Sequence, residues 1–305
     1  MCRRVLTDDE TFKIGYPKST IEVVGCKPIW SFSKEEHKRF RRLISSLTMR
    51  HNTLETYLTR IEDIVVNSLA DLSSMSHPVE FLRETKNISF NIIIDILLGS
   101  YNQHIINKIG NSFNEMHSAL FSMPINLPGF AFRKGLMEEQ EEIIKTRLQT
   151  QKHLSLKDIK KMRYLSQVIN EMMRLTSNNF AIFREATIDY TSSFHHKKLL
   201  LGERESLWKK AIHMDPTYYP NPNEFNPSRW DNHNIKVGCF LPFGAGSRYC
   251  PGSDLAKIAI SIFLHYFLLS YKLELVNPKC PITSLPSPKP TDNCLAKVIK
   301  VSNIV

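Results

Sequence analysis

The segment Phe243-Gly-Ala-Gly-Ser-Arg-Tyr-Cys-Pro-Gly252 constrains this chain more than any other stretch. Gly244, Gly246 and Gly252 remove side chains where the backbone must turn or closely approach something flat. Cys250 stands at the head of an apolar run, Asp254 to Leu269, that reads as a helix. Pro251 suits a first helical residue, which needs no amide donor. First-turn amides and the helix dipole then favour a thiolate at Cys250. A thiolate held this way can ligate a metal, and a single Cys with no second Cys or His nearby suits an axial haem ligand. A Gly-rich turn with an incidental Cys, or a catalytic thiol at a helix start, fits the same residues. Local physics leaves all three open.

The remaining chain reads as helical, with sparse strands. Ser33 and Glu36 fit a capping box ahead of a strongly basic helix, Lys34 to Leu47. Leu54, Tyr57, Leu58, Ile61, Ile64, Val65 and Leu69 recur at the spacing of one buried helical stripe. Phe81 to Leu98 predicts a core helix, Pro124 and Pro128-Gly129 a loop, and Met137 to Lys145 a Glu-rich helix. A further helix is expected from about Ser155, with Ile159, Met162, Leu165, Val168, Ile169 and Met172 on one side. Tyr190 to Lys210 shows no clear period. Asp215 to Arg229, with four prolines, reads as extended and turn-rich.

Composition excludes some classes. The chain has 305 residues, 42% of them hydrophobic, which is ample for a core and argues against disorder. The six cysteines contain no C-x-x-C pair, so neither a zinc site nor a disulfide framework is indicated. No run reaches the roughly 18 apolar residues of a membrane span, and the first ten residues lack a signal peptide's apolar core. Taken literally, the chain is expected to be soluble or peripheral. The net charge of +10 admits nucleic acid, an anionic membrane face, an acidic protein or an acidic cofactor as partner. The basic residues are spread along the chain and no nucleic-acid motif appears, so no nucleic-acid partner is expected.

Further motifs extend the loop. Glu171-Met-Met-Arg174 places an acid and a base at i, i+3 on a predicted helix, where they share a face. His213-Met-Asp-Pro216 and Phe225-Asn-Pro-Ser-Arg-Trp230 follow in order. With F-G-x-G-x-R-x-C-x-G, these resemble the framework of the cytochrome P-450 haem-thiolate monooxygenases. The resemblance implies a mainly α fold with minor β. It implies a single haem domain over 1–305, with an N-terminal helical part (1–136) and a C-terminal haem-binding part (137–305).

By the same resemblance, Cys250 is the axial ligand of haem b iron and Arg248 meets a haem propionate. Phe243, Gly244, Gly246 and Gly252 shape the haem loop, and Arg229 joins Glu171 and Arg174 in a network that supports it. His37 and Arg41, in Glu36-His37-Lys-Arg-Phe-Arg41, resemble the family's W-x-x-x-R helix with His for Trp. Arg184, in Phe183-Arg-Glu-Ala186, matches another propionate-binding Arg. Cys2 to Glu10, Gly15 to Thr20, Ile125 to Phe130 and Leu285 to Ala296 resemble the plant ent-kaurenoic acid oxidase group, the last especially its beta-amyrin 11-oxidase branch. That group oxidises polycyclic isoprenoids with molecular oxygen and NADPH electrons, delivered by NADPH-cytochrome P-450 reductase. Its members sit at the cytosolic face of the endoplasmic reticulum membrane.

Three departures bear on activity. The family's N-terminal anchor, proline hinge and first strands have no counterpart, because Met1 falls well inside the pattern. Gly129 to Leu136 joins directly to Met137, where relatives carry a long insertion that includes the central helix over the haem. No Gly-x-Asp/Glu-Thr-Thr stretch, the family's proton relay, occurs in the chain, so no catalytic residue of that type is identified. Finally, Ile188 to Lys210 replaces a strand segment with an atypical run whose His195 and His196 are expected at the surface. These departures predict an incomplete fold and, as an alternative function, a truncated product with little or no turnover.

Overall fold

A computed structural model of the protein describes residues 2–16, 29–48, 51–99, 130–146, 153–177, 181–191, 198–231, 235–283 and 289–302. His195, His196 and the loop expected around Pro124 and Pro128 lie outside the described residues. The chain divides into two compact units, each assembled from separated segments: Met1–Ser46, Met173–Glu224 and His233–Ser253 in the first, Leu47–Met172, Phe225–Asn232 and Asp254–Val305 in the second.

The first unit is built on a three-stranded antiparallel sheet in the order β1 (Phe12–Ile14), β3 (Ala181–Ala186), β6 (Arg204–Trp208). Val5 and Leu6 of helix α1 (Cys2–Thr7) pack with Phe12, Ala186, Leu207 and Leu241 in its core. Strand β6 comes from the stretch that showed no period. Its pairing with β3 runs from Ala181 opposite Trp208 to Glu185 opposite Arg204, and among its described side chains only Leu207 is held in the core cluster. A strand with one buried anchor carries too little alternation to be seen locally. The two-residue strands β4 (Tyr190–Thr191) and β5 (Lys198–Leu199) extend the same hairpin. Helix α2 (Lys34–Thr48) opens with a capping box: the Ser33 amide donates to Glu36 Oε2 at 2.9 Å and the Glu36 amide to Ser33 Oγ at 3.2 Å.

The second unit is mainly helical. Helix α3 (His51–Ser74) buries Tyr57, Leu58, Ile61, Val65 and Leu69, one stripe at helical spacing. Helix α4 (Phe81–Leu98) follows β2 (Val79–Glu80), which pairs with β10 (Leu295–Lys300), itself paired with β7 (Tyr271–Leu275). The short strands β8 (Ile282–Thr283) and β9 (Lys289–Pro290) pair with each other. Glu62, buried within α3, accepts the Leu154 amide at 2.9 Å and the Tyr266 hydroxyl. Helix α5 (Phe130–Thr146) runs without a break through the Leu136–Met137 junction. Its buried Leu136, Gln140 and Ile143 form one face across that junction.

The single helix expected from Ser155 is two: α6 (Leu156–Lys161) and α7 (Arg163–Thr176). Met162 between them leaves the helical region at φ −72°, ψ 62°. The cause is long-range. The Glu139 carboxylate of α5 accepts the amides of Tyr164 at 2.6 Å and Leu165 at 2.8 Å, capping a new helix start. One short helix, α8 (Lys209–His213), follows β6 in the first unit. Helix α9 (Ser253–Ser270) has the length and mean hydropathy (1.3) of a membrane span, but 61% of it is buried in the protein. Its His265 is fully buried with Nδ1 2.8 Å from Gln140 Oε1, as in a core helix.

Candidate functional site

All of the loop residues and the four basic candidates fall in the first unit. The loop is closed on itself by backbone bonds. Gly244 N donates to Leu241 O (3.2 Å), Tyr249 N to Gly246 O (3.1 Å) and Cys250 N to Phe243 O (3.0 Å). One turn of 3-10 helix covers Gly246–Arg248. Helix α9 starts at Ser253, so Cys250 lies three residues upstream of the first helical residue and Pro251 is in the intervening turn. The expected placement of Pro251 as the first helical residue does not hold. Cys250 is a free, partly exposed thiol.

Gly246 is required for a reason the motif did not disclose. Its φ is +71°, and a Cβ there would stand 2.2 Å from Leu6 O. The close approach is to the backbone of α1, which packs on the loop. Gly244, at φ +77°, has open space around it and serves the turn alone. A side chain at Gly252 would likewise start in open space, with nothing within 4 Å of its first carbon.

Around this loop stand the basic residues. Arg41 of α2 donates to Tyr249 O, the carbonyl that precedes Cys250. Arg248 makes a long contact of 3.4 Å to Phe32 O. Lys38, Arg39 and Arg42 of α2 are exposed, whereas His37 and Arg41 are half-buried. Burial lowers the His37 pKa, and the Arg248 and Arg41 charges lower it further. Arg184 on β3 is 5% exposed, and its described hydrogen bond is to its neighbour's carbonyl, Phe183 O, at 3.2 Å. Burial pulls its pKa down, Tyr16 and Asp9 oppose this, and Arg248 adds to it.

Three guanidinium cations, Arg41, Arg184 and Arg248, thus share one partly desolvated region with the imidazole of His37, whose lowered pKa favours its neutral form, and Asp9 is the acid that His37, Arg184 and Arg248 sense among the described residues. Like charges gathered out of water are unfavourable without an anion of matching charge. A group with two carboxylates, such as haem with its propionates, fits that requirement, and the thiol of Cys250 sits on the same loop as Arg248. No group of three or more His, Cys, Asp or Glu able to hold a metal ion occurs among the described residues.

The motifs outside the loop form buried anchors. In the second unit, Glu171 Oε1 accepts Arg229 Nε at 2.9 Å and the Asn226 amide at 3.0 Å, and Oε2 accepts Trp230 Nε1 at 3.0 Å. In the first unit, Arg174 donates to His213 O (2.8 Å), Pro222 O (2.9 Å) and Glu224 O (3.2 Å), with its guanidinium over the Tyr219 ring. Fully buried, Arg174 pins the turn-rich segment by its carbonyls. Sequence reasoning gives no role to two residues that the fold employs. Trp230 supplies an indole donor to Glu171, and His213 bonds to the amide of Leu241 just ahead of the loop. Both stand inside motifs singled out for other residues.

Comparison with known proteins agrees with this construction. Residues 132–296 match the Cytochrome P-450 family. Beta-amyrin 11-oxidase of Glycyrrhiza uralensis is 46% identical, covering 99% of this chain and 79% of that protein. Ent-kaurenoic acid oxidase of Oryza sativa subsp. japonica is 34% identical over 99% of this chain and 77% of that protein. Among solved structures, a retinoic acid bound cyanobacterial CYP120A1 superposes with a TM-score of 0.75 over 98% of this chain and 86% of that chain, at 19% identity. The chain therefore belongs to the cytochrome P-450 family of haem-dependent monooxygenases. The beta-amyrin 11-oxidase alignment runs over 392 residues against 305 here, so the fold is incomplete relative to that protein.

Proposed function

We propose that this chain carries a haem-thiolate centre on Cys250 and oxidises a polycyclic isoprenoid of the beta-amyrin or ent-kaurenoic acid type. The observation that carries the haem site is the cationic group of Arg41, Arg184 and Arg248, with the imidazole of His37 among them, beside a loop with one free thiol. The substrate class follows from the names of the relatives. Haem, when bound, supplies oxygen activation at iron, fed by NADPH electrons through a flavoprotein reductase at the cytosolic face of the endoplasmic reticulum. Cys250 Sγ would hold the haem iron as a thiolate. Arg41 fixes the backbone next to it through Tyr249 O. Arg184 and Arg248 offer fork-shaped donors suited to carboxylates, with the His37 imidazole as a further donor. Glu171, Arg174 and Arg229 hold the supporting segments.

The test is to reduce the purified protein, add carbon monoxide, and look for the red-shifted Soret band of thiolate-bound haem. The band is expected in the wild type and lost in Cys250→Ser. Its absence from the wild type overturns the haem assignment. Product formation from beta-amyrin or ent-kaurenoic acid with a plant reductase then tests the substrate class.

A second reading is favoured by helix α5, whose continuous buried face crosses the Leu136–Met137 junction, where the family resemblance leads us to expect an insertion in relatives. In that reading the protein is a truncated product, with or without haem, that does not turn over, because the sequence contains no acid-Thr relay. A carbon monoxide band with no product separates it from the first. A coding stretch with the Gly-x-Asp/Glu-Thr pattern between the codons of Leu136 and Met137 would instead restore the first.

A further inference from the structure

His213 is fully buried, and each of its ring nitrogens has a defined partner. Nε2 accepts the Leu241 amide at 2.9 Å, so the ring proton sits on Nδ1. Nδ1 lies 2.8 Å from Ser177 Oγ, whose hydroxyl donates to Arg174 O at 2.8 Å. Ser177 follows the end of α7 in a left-handed conformation, φ +43°, which aims its hydroxyl back at that helix. Leu241 in turn is buried in the core cluster, and its carbonyl accepts the Gly244 amide that opens the Cys250 loop. A directed chain of bonds therefore runs from the Cys250 loop through Leu241, His213 and Ser177 to the C-terminal end of α7. The Nε2 end of the chain works only with a neutral imidazole.

We propose that His213 is the positioning residue of the thiolate loop, a proton-sensitive latch that holds Leu241 and hence the Cys250 loop only while its Nε2 is unprotonated. The inference rests on the reading of Cys250 as iron ligand. A second ring proton would face the Leu241 N–H donor and break the bond that holds Leu241, leaving Tyr219 Oη to Cys239 O (2.9 Å) as the other described side-chain tie on the chain entering the loop. The surroundings oppose that proton. Burial, then the Lys209 charge on the same short helix α8, then the Arg174 charge from α7 push the His213 pKa down to about 4, with the Arg174 backbone acceptor opposing. The Phe240 ring packs 5.6 Å from the imidazole and supplies no acceptor. The latch is therefore closed at neutral pH and opens on acidification.

The expected consequence is an acid-driven loss of thiolate ligation whose midpoint belongs to His213. The experiment follows the carbon monoxide Soret band of the reduced haem-loaded protein between neutral pH and pH about 4, in wild type, His213→Gln and His213→Leu. Gln places an amide oxygen near the Nε2 position and does not titrate. His213→Gln is expected to keep the thiolate band at neutral pH and to lose the wild type's step near pH 4. His213→Leu leaves the buried Leu241 amide without an acceptor. It is expected to lower the ratio of thiolate-bound to thiolate-free haem about ten-fold at neutral pH, the scale of one unsatisfied buried donor. An unchanged acid step in His213→Gln overturns the latch, whether or not His213→Leu folds. Absence of any thiolate band in the wild type overturns the Cys250 assignment itself and is a different result.

Discussion

Arg229 Nε meets Glu171 Oε1 at 2.9 Å in an ion pair whose side chains are 9% and 0% exposed. The same carboxylate also accepts the Asn226 amide and the Trp230 indole, so three donors from one short segment converge on it. A buried pair of this kind is weak evidence of net stability, but removing one partner strands the other.

Glu171→Ala is therefore expected to destabilise the fold by about 3–5 kcal/mol, since it removes the carboxylate acceptor shared by a buried guanidinium and two further donors. Arg229→Ala leaves the carboxylate with two of its donors and is expected to cost less. Urea unfolding of the three proteins checks the order. Equal losses would show that the pair, and not the three-donor carboxylate, is the unit.

Gly246→Ala tests the contact between the loop and α1. The new methyl would collide with Leu6 O, which is backbone and cannot swing aside, and the positive φ adds strain of its own. The expected loss is about 2 kcal/mol or more. Gly244→Ala, with similar φ and open space, should lose only the strain, about 1 kcal/mol. Thermal unfolding of both variants side by side measures the difference.

Elements whose cause is local are legible in the sequence. The Ser33–Glu36 box, the Tyr57 to Leu69 stripe and the Cys250 loop each contain their own determinants. What escapes depends on partners far along the chain. Met162 breaks a periodic helix because Glu139 caps the amides of Tyr164 and Leu165. Gly246 is needed because of Leu6, and His213 because of Leu241. Strand β6 hides in an aperiodic run because β3, not its own alternation, orders it. The loop motif locates the site, while the residues that hold it require the fold.

Arg184 should separate fold from cofactor. As a buried cation whose described hydrogen bond goes only to a carbonyl, it costs the protein stability when no anion is bound. Arg184→Met, of similar length and apolar, is expected to leave the haem-free protein as stable as wild type or more so. If Arg184 meets a haem propionate as proposed, the same change should lower haem retention, because the propionate would lose a charged donor. Thermal unfolding of the apoprotein and the haem-to-protein ratio after gel filtration are the two readouts. A variant that loses apoprotein stability and retains haem fully would refute the propionate role.

Glu139 gives a pH dependence of defined sign. Half-buried on α5, it has its pKa raised by burial, with the amides of Leu165, Tyr164 and Arg163 opposing in part. A carboxyl raised in the folded state binds its proton there more tightly than in the unfolded chain. Its contribution to stability is then full below the ordinary value of 4.5 and declines as pH rises through the raised value. Glu139→Gln removes the titration but also leaves one of the two capped amides without its oxygen, at about 1–3 kcal/mol. The variant should therefore be less stable than wild type at low pH, and the gap should narrow toward neutrality as the wild-type carboxylate is forced to ionise. Urea midpoints of both proteins across this range test the sign. Parallel curves would mean that the amides of α7, and not burial, set the charge state of Glu139.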